Sequence, residues 1–101
     1  MPLPKLDDFD PQLVRLSSFA RALSHPARIR ILQLLGKQKE TAAMDLVGQL
    51  PLSQPACSRH LRELTESGLI KARVSGSYIF YRVDPKALQR FCQSMSANLH
   101  P

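Results

Sequence analysis

The segment Ser53-Gln54-Pro55-Ala56-Cys57-Ser58-Arg59-His60 concentrates short hydrogen-bonding and cationic side chains, and Arg62 follows closely. A glutamine amide can bond an adenine edge bidentately. An arginine can bond a guanine edge or a phosphate, and a serine hydroxyl can donate to either. The chemistry on offer is recognition, with no bond made or broken. A solvated polar helix face would show the same residue types, so the segment needs support from elsewhere. A second group, Lys71, Arg73, Ser75, Gly76 and Ser77, is small and basic enough to enter a minor groove or straddle a phosphate. Edge-strand lysines kept for solubility are the plainer alternative. The third group is the two cysteines, Cys57 and Cys92. Free cysteine is among the most buried residue types, which makes packing the first expectation. The functional alternative is a thiol that captures an oxidant, a sulfur species or a metalloid.

Enzyme chemistry finds no footing. The chain has no glycine-rich phosphate loop, no paired carboxylates at usable spacing and no serine–histidine–aspartate set. No cofactor and no metal are expected.

The elements that must carry these groups follow from periodicity. Pro2, Pro4 and Pro11 bracket an acidic leader over 1–10, expected to be extended or frayed and flexible. Leu13, Leu16, Phe19, Ala20 and Leu23 step by threes and fours, which predicts a first helix. Ser24-His25-Pro26 ends it and opens a second, where Ile29, Ile31, Leu32, Leu34 and Leu35 predict a buried central helix stopped at Gly36. A short third helix opens near Thr41 and presents Ala43, Leu46, Val47 and Leu50. Pro51-Leu52 turns, and Ser53 caps a fourth helix with Pro55 in its first turn. Cys57, Leu61 and Leu64 share one stripe of that helix, and Gln54, Ser58, Arg59 and Arg62 lie largely away from it. Ser67-Gly68 ends it.

The period then changes to two. Ile70, Ala72 and Val74 alternate with polar residues, Ser75-Gly76-Ser77 turns, and Tyr78 to Val83 returns as a partner strand. Asp84-Pro85 restarts a helix on which Leu88, Phe91, Cys92, Met95 and Leu99 recur by threes and fours. The expected fold is mainly α with a small β part: four helices, a β-hairpin and a fifth helix. Helices three and four form a helix-turn-helix, and the hairpin makes it winged. One domain over 11–97 is expected, with 98–101 as a tail.

Composition bounds the reading. The 101 residues suit one domain, and an apolar share of 44% argues against wholesale disorder. With no apolar run long enough for a bilayer and no signal peptide, no membrane role is expected and the cytoplasm is the expected compartment. A formal net charge of +6 and a pI near 9.9 suit a polyanionic partner, here double-stranded DNA. Residues 11–39 carry Arg15, Arg21, Arg28, Arg30, Lys37 and Lys39 with no acid between them. A domain this small also gains burial by pairing. Leu13, Leu16 and Phe19 on the first helix, with Leu88, Phe91, Cys92 and Met95 on the last, are the expected homodimer surface.

Three stretches carry a resemblance. Ala22 to Leu35 looks like the second-helix signature of the ArsR/SmtB winged-helix repressors, and Leu52 to Leu64 looks like their recognition helix. Ser67-Gly68-Leu69-Ile70, Gly76 and Tyr81-Arg82-Val83 match the wing and its return strand. The resemblance spans about residues 15–90. It implies a prokaryotic homodimer that binds an imperfect palindromic operator, represses transcription and is released by a chemical signal. The established metal sites of that family are broken here. Where metalloid sensors place Cys-x-Cys, this chain has Glu40 to Leu46 without a thiol. The zinc pattern begun at Asp84 meets Lys86 and Ala97 before His100, leaving two ligating types of the roughly four that zinc takes. A thiol signal through Cys57 or Cys92 is the expected alternative. The competing class is a winged-helix module that docks proteins and binds no DNA.

Overall fold

The computed structural model describes residues 5–101; the first four residues of the acidic leader lie outside the described residues. Five helices and a small sheet follow in order: α1 (Pro11–Ala22), α2 (Pro26–Gln38), β1 (Thr41–Ala42), α3 (Ala43–Gly48), α4 (Gln54–Ser67), β2 (Ile70–Ser75), β3 (Tyr78–Val83) and α5 (Pro85–Asn98). This is the winged helix-turn-helix expected from the periodicities.

Four of these helices begin with the same local device. A side chain just before the helix accepts a backbone N–H that would otherwise lack a partner, and a proline occupies the first turn, where no donor is needed. Asp10 accepts from the Gln12 N–H at 2.8 Å, the His25 Nδ1 from Ala27 at 3.0 Å, and Ser53 Oγ from Ala56 at 3.3 Å. Asp84 accepts from both Lys86 and Ala87. Asp10 thus belongs to the helix start, and Leu6–Asp8 forms a 3-10 turn where an extended or frayed leader was expected.

The interior is built from α2, α3, α4 and the base of the hairpin. Ile31, Leu35, Leu46, Cys57, Leu64, Leu69 and Ile70 are fully buried. Burying one such leucine or isoleucine contributes about 1.5–3 kcal/mol. Phe19 of α1 and Phe91 of α5 meet edge to face, with ring centroids 5.9 Å apart, and close the core on the helix side.

The sheet has three antiparallel strands in the order β1-β3-β2. Thr41 pairs with Tyr81 and Ala42 with Phe80, while the hairpin register runs from Ile70–Val83 to Ser75–Tyr78. At its base the Asp84 N–H donates to the Leu69 carbonyl at 2.9 Å.

Two further expectations, both about α2, are corrected. Gly36 does not stop α2, which runs two residues further to Gln38. The chain reverses instead at Lys39, whose φ is 60°. The third helix does open near Thr41, at Ala43, but Thr41 itself is a buried strand residue that the periodicities did not mark; two residues are too few to show a period of two. Ile29 is 48% exposed, so α2 is amphipathic where an all-buried helix was expected.

Candidate nucleic-acid interface

Helix α4 is held from beneath by Cys57, Leu61 and Leu64, all buried against the other helices and the hairpin base. That fixes which side faces out. Ser53, Gln54, Pro55, Ser58, Arg59 and Arg62 are exposed, and Ala56 is half-buried. The polar residues singled out by type and spacing therefore lie on one solvent-facing surface of the second helix of the helix-turn-helix. Gly68 ends the helix in the left-handed conformation, φ 86°, which glycine takes without strain.

His60 departs from this surface. It is half-buried and turned toward α2, where its Nδ1 accepts a hydrogen bond from Arg28 Nε at 3.0 Å. The guanidinium also donates to the Arg21 and Ala22 carbonyls at 3.3 and 3.4 Å. Arg28 thereby ties the end of α1, the start of α2 and the middle of α4 together. The rings of His25 and His60 lie 4.4 Å apart. Burial first, then the positive charges of His25, Arg28 and Arg59, holds the His60 imidazole below its ordinary pKa. A neutral ring is what the Arg28 bond requires, since a protonated Nδ1 cannot accept.

The wing carries its residues differently from the expectation. Lys71, Arg73, Ser75, Gly76 and Ser77 are exposed, and Gly76 turns the hairpin at φ 62°. Lys71 and Arg73, the two cations on β2, are however already partnered. Arg73 bonds both Glu40 oxygens, at 2.6 and 3.1 Å, and lies over the Phe80 ring with its guanidinium carbon 4.8 Å from the centroid. That hydrogen bond, more than any other cause, holds the Glu40 carboxyl below the ordinary carboxylate range. Lys71 reaches Asp84 at 3.6 Å. Beside the Ser75-Gly76-Ser77 turn the strands expose apolar side chains, with Val74 70% exposed next to Tyr78 and Ile79. Glu40 and Arg28 escaped the sequence reading. Each meets its partner across more than thirty positions, and nothing local marks such a pair.

The two thiols differ. Cys57 is fully buried, and burial pushes its pKa up, which disfavours the reactive thiolate. Cys92 is exposed. Among the residues expected to pair two copies, Phe19 and Phe91 turn inward onto each other. Leu16 and Leu88 are half-buried, while Leu13, Cys92 and Met95 stay exposed. Among the described residues, no three His, Cys, Asp or Glu side chains gather as a metal cluster. No helix among them is long and apolar enough to cross a membrane.

A helix-turn-helix with an outward polar second helix and an appended hairpin is the architecture of the winged-helix regulators. Residues 23–73 match a family described as a helix-turn-helix domain. An arsenic resistance transcriptional regulator of Pseudomonas putida is 35% identical over 69 residues, covering 68% of this chain and 54% of that protein. The arsenical resistance operon repressor of Escherichia coli is 40% identical over 65 residues, covering 64% and 56%. The chain thus spans little more than half the length of these curated relatives. An ArsR-like transcriptional regulator from a Rhodococcus species superposes with a TM-score of 0.77 at 30% identity, covering 87% of this chain and 82% of that one. The chain belongs to the ArsR-type helix-turn-helix transcriptional regulators.

Proposed function

We propose that the chain is a homodimeric repressor that reads an imperfect palindrome in double-stranded DNA through α4 and is released by a chemical signal. The outward array of Gln54, Ser58, Arg59 and Arg62, held on a helix whose other side is fully packed, supports this most strongly. In a helix-turn-helix the early residues of the second helix reach base edges in the major groove. The net charge of +6 supplies attraction to phosphate. Leu13 of α1 and, on α5, Cys92 and Met95 are exposed side chains open to a second copy, and two-fold symmetry matches two half-sites. Relatives named for arsenic resistance suggest a soft signal. The exposure of Cys92 supports that thiol as the receiver, and the burial of Cys57 supports a packing role for it.

Fluorescence anisotropy with the gene's own upstream duplex tests the reading. Gln54→Ala and Arg59→Ala should each cost about 1–3 kcal/mol and relax base preference, and affinity should fall steeply with salt. Affinity that ignores both salt and these substitutions would favour a protein-docking module. Repeating the titration with Cys92→Ser, reduced and after treatment with peroxide, polysulfide or arsenite, tests the thiol. Equal wild-type affinity in every state would remove it.

A further inference from the structure

Between the end of α2, the root of the hairpin and the first turns of α5 lies a cavity of about 750 Å³. That is within the roughly 300–1,000 Å³ of small-molecule sites. Leu35, Val83, Pro85 and Leu88 give it apolar walls, and Lys39, Glu40 and Arg82 stand at its rim.

Two residue choices in its lining run against local preference. Gly36 sits inside α2, where glycine is less favourable than alanine. A Cβ placed there would meet nothing within 4 Å, so no neighbour in the chain requires the glycine. A larger side chain at this position would therefore project into the cavity without displacing a neighbour. Lys39 shows the reverse. Its φ of 60° is a conformation glycine adopts freely, yet a lysine stands there, at the rim. The rim is also positive on balance. Arg73 already holds the Glu40 carboxylate and Lys71 holds Asp84, and no ion pair among the described residues engages Lys39 or Arg82.

We propose that this cavity binds a small organic acid with an apolar body and one carboxylate, and that its occupancy weakens DNA binding. The apolar walls take the body, and Lys39 and Arg82 take the charge. The second half rests on the DNA-binding reading above. A bound carboxylate places a negative charge at the root of the wing, beside Arg82 of β3, and lowers the attraction to phosphate.

Decanoate is the probe, titrated calorimetrically into the full chain without DNA. The wild type should bind it saturably, while acetate, which lacks the apolar body, should not bind. Decanol should bind about two- to fivefold more weakly than decanoate for each exposed ion pair it forgoes. Lys39→Gln should weaken decanoate by that same factor and leave decanol unchanged. Gly36→Leu should melt no lower than wild type, because the site is open and leucine favours helix, and should lose decanoate. A wild type that does not bind decanoate, or a Gly36→Leu that binds it equally well, overturns the site. So does a Gly36→Leu chain that melts normally but no longer pairs, because a second copy would then occupy the cavity. In anisotropy, decanoate should weaken wild-type binding to the upstream duplex and leave Gly36→Leu unaffected. Unchanged DNA affinity at saturating decanoate overturns the coupling. Failure to bind DNA without any decanoate counts against the regulator reading alone.

Discussion

Arg28 donates to His60 only while that imidazole is neutral, and this gives the molecule an acid-sensitive joint. The folded pKa of His60 lies below its ordinary value, so the unfolded chain takes up the proton first as pH falls. The stabilisation from a neutral His60 is therefore complete above about pH 6.5, the ordinary histidine value, and is lost as pH drops toward the folded pKa. Thermal melts between pH 7.5 and 5 should show a falling Tm. His60→Gln keeps an acceptor for Arg28 and removes the titration, so its Tm should fall less over that range. Identical slopes would place the acid sensitivity elsewhere. Lys39 carries a second residue-scale expectation. Lys39→Gly relieves its left-handed backbone and should raise stability by about 1 kcal/mol, seen as a Tm higher by roughly 4–8 °C. No gain in Tm would mean that the lysine side chain compensates for its backbone.

At the scale of elements, what depends on neighbours in sequence was readable and what depends on distant ones was not. Ser53 and Pro55 announce the start of α4, and Cys57, Leu61 and Leu64 give its packed side, because capping and periodicity are local. The outward placement of Gln54, Ser58 and Arg59 then follows geometrically. Strand β1 has no such signature; Thr41 becomes a strand residue only because Tyr81 lies alongside. The charge state of the wing was equally hidden, since a lysine or arginine in a hairpin reads as a free cation until Asp84 and Glu40 are seen beside it. With Arg73 bound to Glu40, Arg73→Ala should alter DNA affinity less than Arg59→Ala does. Glu40→Gln should do the opposite of a loss. It frees one guanidinium, strengthens binding to unrelated duplexes, and steepens the dependence of log K on log salt by about one unit. A slope equal to that of wild type would show that Arg73 faces no phosphate.

At the scale of the whole molecule, α1 and α5 serve two roles that sequence alone could not separate. Both stripes are apolar at helical spacing, yet Phe19 and Phe91 complete the chain's own core, while Leu13, Cys92 and Met95 remain outside it. Periodicity groups apolar positions on one face without showing which of them are covered. Met95→Glu places a charge on that outer surface without touching the core, so the chain should stay folded by circular dichroism and sediment as a monomer at tens of micromolar. Loss of folding would instead make Met95 part of the interior.

The three-way bond set of Arg28 has a mechanical consequence. From its place in α2, one guanidinium bonds the carbonyl end of α1 and the middle of α4, which braces the proposed reading helix against the helix that would carry the partner. Two copies joined through α1 and α5 would then behave as a calliper with a set opening. Such a tool measures phase along the duplex as well as sequence. Inserting about five base pairs between two half-sites turns one of them to the opposite side of the helix, whereas about ten restore its facing. A gapped series of operator duplexes should therefore give affinity that collapses at the half-turn insertion, and Arg28→Ala, by loosening the hinge, should blunt that collapse.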